Sequence, residues 1–95
     1  MSDTNVIAHP EDAHNIVIYT STPCPYCVSA KRLLNSKNLQ FVEINLSDKP
    51  DALMALKERT GWRTVPQIFI KGKLVGGYTD LAALDESGDL DKILA

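Results

Sequence analysis

No apolar run in this sequence approaches the ~18 residues that a membrane-spanning helix needs, so no membrane partner is expected. Charge of one sign is also scarce: 10 Lys and Arg stand against 12 Asp and Glu, for a formal net charge of −2. The basic residues are scattered, which leaves no electrostatic footprint for nucleic acid. Residues 1–14 contain Asp3, Glu11 and Asp12, but no Lys or Arg and no apolar core. They lack the marks of a secretory or mitochondrial signal, and the expected location is the cytoplasm. Cysteine is limited to Cys24 and Cys27. In a reducing compartment, two cysteines at that spacing point to redox or metal chemistry rather than a structural disulfide. Internal repeats and low-complexity tracts are absent as well.

What is present suits one domain. The 95 residues are 44% hydrophobic and 23% charged, the balance of an ordinary globular chain. A chain of this length buries roughly 60–70% of its unfolded surface, enough for a core without a metal or staple. Residues 1–14 are polar and aperiodic, with Pro10 among them, and read as a flexible N-terminal tail. The domain proper is expected over residues 15–95.

Ile16-Val17-Ile18-Tyr19 is short, β-branched and continuously apolar, the pattern of a buried strand. From Pro25 to about Lys37 the period becomes helical, with Cys27, Ala30, Leu33 and Leu34 on one face and Lys31, Arg32 and Lys37 pointing outward. Asn38 is a plausible stop. Phe41 to Leu46 alternates as a strand, with Glu43 and Asn45 opposite Val42, Ile44 and Leu46. Ser47 or Asp48 is expected to cap a helix with Pro50 in its first turn. That helix carries Leu53, Leu56 and Met54 inward and ends at Gly61. Gln67 to Ile70 and Leu74-Val75, joined by Lys71-Gly72-Lys73, read as an antiparallel hairpin. Two short helices follow Gly76-Gly77, near 79–85 and 89–94. The order βαβ, helix, hairpin, helix gives an α/β fold, a four-stranded mixed sheet flanked by helices, its first two strands parallel through a right-handed crossover.

A disulfide exchanger needs one thiol that is largely thiolate at neutral pH and a second within bridging range. Cys-x-x-Cys at a helix start supplies both. Cys24 precedes the first turn, where free N–H groups and the helix dipole favour an anion. It is the expected nucleophile, and Cys27, one turn in and less exposed, the resolving thiol. Pro25 takes the first helical position, and Lys31 and Arg32, if near, would support the thiolate. The competing reading is a half zinc site completed by His9 and His14. Both lie in the expected tail, and no second cysteine pair exists. No metal is expected.

Cys24-Pro25-Tyr26-Cys27, Thr64-Val65-Pro66-Gln67-Ile68-Phe69 and Gly76-Gly77-Tyr78-Thr79-Asp80-Leu81 together resemble the dithiol glutaredoxins of the bacterial type, over about residues 15–95. The resemblance implies the thioredoxin-like fold, and glutathione as co-substrate and partner. It also implies a cis bond at Pro66, turning the Val65 backbone toward Cys24. An extended peptide could then pair with Val65 as an added strand. By the same resemblance Gly77, Thr79 and Asp80 hold the glutamyl end of glutathione, and Tyr26 flanks the tripeptide. Thr79 could also cap its helix. Many dithiol members carry lysine where this chain has Ser21, which leaves Arg63 or Lys57 for the glycyl carboxylate. Tyr78 stands where cysteine is frequent, and Trp62 is similar to the monothiol, iron–sulfur-binding branch.

The function expected is a monomeric enzyme that reduces glutathione mixed disulfides and protein disulfides, its partners being glutathione and disulfide or glutathionylated proteins. A glutathione-assisted iron–sulfur carrier is the alternative from another class. A thioredoxin-like reductant recharged by a flavoenzyme is the third, although the Trp-Cys-Gly-Pro-Cys sequence is missing.

Overall fold

The computed structural model describes residues 9–95. Its elements are α1 (Pro10–Ala13), β1 (Ile16–Thr20), α2 (Pro25–Ser36), β2 (Val42–Asn45), α3 (Pro50–Thr60), β3 (Gln67–Ile70), β4 (Lys73–Gly76), α4 (Tyr78–Ser87) and α5 (Asp89–Leu94). The strands form one sheet in the order β2-β1-β3-β4. β1 and β2 are parallel, while β1–β3 and β3–β4 are antiparallel. The two central strands are buried on both faces, which is why β1 and the Ile68-Phe69-Ile70 stretch of β3 read as unbroken apolar runs. The edge strand β2 alternates, as expected from Val42-Glu43-Ile44-Asn45.

Two cores result. Ile16, Ile18, Ile68 and Ile70 pack against Ala30 and Leu34 of α2, Leu81 of α4 and Leu90 of α5. On the opposite face Val17, Tyr19, Phe69 and Leu46 pack against Leu56 of α3. Helix ends follow local chemistry. Asn38, at φ 58°, lets the Leu39 and Asn38 N–H groups return to the Leu34 and Asn35 carbonyls and close α2. Gly61 ends α3 at φ 73°.

Several expectations need correction. The flexible tail was expected over 1–14; residues 1–8 lie outside the described residues, but residues 10–13 form α1, with Glu11 4% exposed. One buried carboxylate orders this segment, and such a device leaves no periodic apolar signal. Lys49, rather than Ser47 or Asp48, is the N-cap of α3, and it makes no side-chain cap bond. Met54, expected inward, is 60% exposed. α4 starts at Tyr78 with Gly77 as its N-cap, so Thr79 does not cap the helix.

Candidate active site

The site is built where β1 runs into α2. The turn between them is tied to β2: the Thr22 N–H donates to Ser47 Oγ at 2.7 Å, and Asn45 Nδ2 donates to Thr22 Oγ1 at 2.9 Å. A cis Thr22–Pro23 bond lies within this turn, a feature for which the residues gave no signal. Cys24 is itself the N-cap of α2, in extended backbone, with Pro25 next. Its Sγ stands where a Ser or Asp oxygen usually caps a helix and accepts the Cys27 N–H at 3.1 Å. A thiolate there meets both an oriented N–H and the positive end of the helix dipole. Cys24 is half-buried; Cys27 is 3% exposed and forms a disulfide with Cys24, their Cα atoms 5.2 Å apart. The pair therefore presents one sulfur outward and keeps the other behind it.

From the β3 side, Val65 and Pro66 close on the sulfur. Their peptide bond is cis, and the Val65 carbonyl oxygen lies 3.8 Å from Cys24 Sγ. The register of β3 with β1 begins at Gln67, so Val65 stands outside that ladder. The β4–α4 corner adjoins this loop: a Cβ on Gly77 would lie 3.7 Å from the Pro66 carbonyl oxygen. Asp80 folds back over the corner and accepts the Gly77 N–H on Oδ2 at 3.0 Å, which leaves Oδ1 for a ligand. Gly76 makes room for this, because a Cβ there would sit 2.9 Å from Asp80 Cγ and 3.2 Å from Trp62 Cζ2. Thr79 and Asp80 are both exposed. Tyr26, 64% exposed, stacks on Tyr78 with ring centroids 6.3 Å apart and planes at 22°. This stack links the cysteine loop to the start of α4.

The expected site residues thus fall into two groups. Cys24, Cys27, Tyr26, Val65, Pro66, Gly77, Thr79 and Asp80 lie on three neighbouring segments at one end of the sheet. Arg63 is exposed and shares with Lys57 a separate cleft of about 580 Å³ whose lining includes neither cysteine. Of the two cations expected near the thiolate, Lys31 lines one cleft with both cysteines and Arg32 does not. Arg32 is exposed, and Lys31 Nζ is held by Glu43 through hydrogen bonds of 3.0 and 3.1 Å. Glu43 also accepts the hydroxyl of buried Thr20 at 2.8 Å. Burial pushes the Glu43 carboxyl up, but the Lys31 and Thr20 hydrogen bonds outweigh it and hold it below the usual carboxylate range. The reading of the residues missed this network. Its one signal was the outward Glu43 on β2, a feature shared with any solvated edge strand.

A dithiol at the first turn of the helix after the first strand, faced by a cis-proline loop on a mixed sheet, defines a thiol–disulfide oxidoreductase of thioredoxin-like fold. The Glutaredoxin family profile matches residues 16–75. Over 80 residues the chain is 46% identical to a glutaredoxin of Pseudomonas aeruginosa, an alignment covering 84% of this chain and 95% of that one. The solution structure of glutaredoxin from Brucella melitensis superposes with a TM-score of 0.75 at 46% identity, covering 84% of this chain and 87% of that chain. The crystal structure of a buckwheat glutaredoxin–glutathione complex gives 0.81 at 31% identity, covering 88% and 79%. The chain belongs to the glutaredoxin family.

Proposed function

We propose that this disulfide oxidoreductase uses glutathione as its electron donor and acts on glutathione mixed disulfides and protein disulfides. The observation that carries the reading is the position of Cys24 Sγ, a helix N-cap acceptor beside the Val65 carbonyl. The Cys24 thiolate attacks the glutathionyl sulfur of a mixed disulfide; the S–S bond breaks, and the substrate thiolate leaves and takes a proton from water. A second glutathione, as thiolate, attacks the Cys24-bound glutathionyl sulfur, giving glutathione disulfide and restoring the Cys24 thiolate. With a protein disulfide, Cys24 becomes tethered to the substrate, and Cys27 displaces it by forming the Cys24–Cys27 disulfide.

The glutathione site is assigned to the same end of the sheet. The Val65 backbone offers strand-like pairing to the tripeptide, Asp80 Oδ1 faces the ammonium, and the free N–H groups of the α4 first turn and the Thr79 hydroxyl face the glutamyl carboxylate. The Tyr26–Tyr78 stack supplies an apolar wall. Support for this ligand comes from the buckwheat relative, whose solved complex contains glutathione. Arg63 and Lys57 remain candidates for the glycyl carboxylate only if the ligand extends toward their cleft.

Wild type, Cys24→Ser and Cys27→Ser, assayed on both substrate types with glutathione, test the reading. Cys27→Ser is expected to keep substantial activity on glutathione mixed disulfides and to lose most of it on protein disulfides. Cys24→Ser is expected to lose both. A folded Cys27→Ser protein that is dead on both substrates would mark an obligate dithiol reductant for which glutathione is not the donor.

A further inference from the structure

A cleft of about 340 Å³ opens on the β2 side of the dithiol, and neither Val65 nor Pro66 lines it. Both cysteines line it, together with Thr20, Asn45, Lys31 and Glu43. Among the described residues that line it, only Lys31 and Glu43 carry charge. Lys31 lies one turn beyond Cys27 on α2, so the two share a helix face. Glu43 reaches it from β2 with two hydrogen bonds, and the Thr20 hydroxyl fixes the carboxylate from β1.

We propose that Glu43 is a positioning residue that cancels the field of Lys31 at the dithiol and so sets its redox poise. The inference rests on the glutathione-linked reading above. Reduction converts the Cys24–Cys27 disulfide and two glutathione thiols into a Cys24 thiolate, a Cys27 thiol, glutathione disulfide and one released proton. Two electrons pass, and one new negative charge appears on Cys24. A cation facing the same cleft favours that charged, reduced product, whereas an anion disfavours it. Held together by two hydrogen bonds, Lys31 and Glu43 act as a near-neutral pair. Removing one partner exposes the charge of the other.

The signs follow directly. Glu43→Gln keeps an oxygen for the Thr20 hydroxyl but frees the cation, and is expected to shift the equilibrium with glutathione about three- to tenfold toward the dithiol. A tenfold shift is about 30 mV for this two-electron couple. Lys31→Met keeps the apolar stem, exposes the Glu43 anion, and is expected to shift the equilibrium by a similar factor toward the disulfide. The double variant replaces a neutral pair by a neutral pair and is expected to return to within about twofold of wild type. Lys31→Arg, which keeps the charge, is expected to stay within the same limit.

The experiment equilibrates each protein with glutathione buffers and reads the dithiol fraction. The rate of Cys24 alkylation by iodoacetamide at one mildly acidic pH is a second readout, expected to rise for Glu43→Gln and fall for Lys31→Met. Loss of packing alone does not produce shifts of opposite sign that cancel in the double variant. Single variants shifting the same way, or neither shifting beyond twofold, overturn the proposal. If Glu43→Gln does not fold, a Lys31→Met equilibrium that fails to move toward the disulfide overturns it alone. Failure of the underlying reading looks different: wild-type disulfide would then resist glutathione altogether.

Discussion

On one face of the sheet, Ile16, Ile18, Ile68 and Ile70 meet side chains of α2, α4 and α5 that are all apolar. On the other, Val17, Tyr19 and Phe69 meet Leu56 of α3, and a carboxylate closes the edge of the packing. Glu11 Oε1 accepts the Tyr19 hydroxyl at 2.6 Å, and Glu11 Oε2 is paired with Arg59 Nη1 at 2.7 Å. Arg59 in turn lies over the Phe69 ring at 5.9 Å. The first face carries the dithiol helix and is buried by periodic helices. The second is completed by a single charged residue from a segment with no periodicity. The apolar core of the first face thus rests on helical pattern, whereas the core of the second is closed by a specific polar network and depends more on one charge.

The largest expected effect lies on the apolar face. Leu34 is fully buried between α2 and the sheet, and Leu34→Ala is expected to destabilise by about 2–5 kcal/mol through lost transfer energy and an unfilled cavity. Urea unfolding measures it; a cost below 1 kcal/mol would mean that this face can collapse around the gap.

On the polar face, Glu11→Ala leaves the Tyr19 hydroxyl and Arg59 without their partner. Arg59 is 34% exposed, so water takes up part of the loss. The expected cost is about 1–3 kcal/mol, read as a lower melting temperature. Removal of residues 1–14 takes Glu11 away as well and is expected to cost at least as much. An unchanged melting temperature in both would show that α1 contributes nothing to the fold.

The same network predicts a pH dependence. Burial raises the Glu11 carboxyl, but hydrogen bonds from Tyr19 and Arg59, with a backbone bond and the Arg59 charge, bring it below its ordinary value of 4.5. A lowered folded value means that the unfolded chain binds more protons in the window between the two. Stability from Glu11 is therefore complete above about pH 4.5 and is lost as pH falls through the folded value. Glu43 acts in the same direction. Unfolding free energies from pH 7 to 3 are expected to fall less steeply for Glu11→Gln than for wild type; parallel curves would assign the acid sensitivity elsewhere.

What could be read from the residues divides along the same line. Strand and helix identities, the hairpin at Lys71-Gly72-Lys73 and the stops at Asn38 and Gly61 follow from periodicity and turn chemistry, which are local. The Cys24–Cys27 pair was legible because its spacing and the helix start lie within four residues. The Glu11 and Glu43 networks and the close approach of Trp62 to Gly76 were not. Glu11 lies 48 residues from Arg59, Glu43 lies 12 from Lys31 and 23 from Thr20, and Trp62 lies 14 from Gly76, and nothing local marks such contacts. Arg63 and Lys57 share a cleft away from the cysteines, a placement that the missing lysine at Ser21 does not mark in the sequence.

Met54 gives the smallest expected effect and the sharpest check on helix phase. The i, i+3 spacing of Leu53 and Leu56 places both toward the sheet, and Met54, one residue after Leu53, is rotated by about 100°. It is 60% exposed, whereas Leu56 is 3% exposed. Met54→Ala removes a mostly hydrated side chain from a helix and puts in the best helix former, so the change should stay within about 0.5 kcal/mol of wild type. Leu56→Ala, two positions on, is expected to cost about 2–5 kcal/mol. Measured side by side by urea unfolding, the two substitutions fix how α3 is turned against the polar face. A Met54→Ala cost approaching that of Leu56→Ala would mean that α3 is rotated toward the arrangement expected from the residues alone, with Met54 inside.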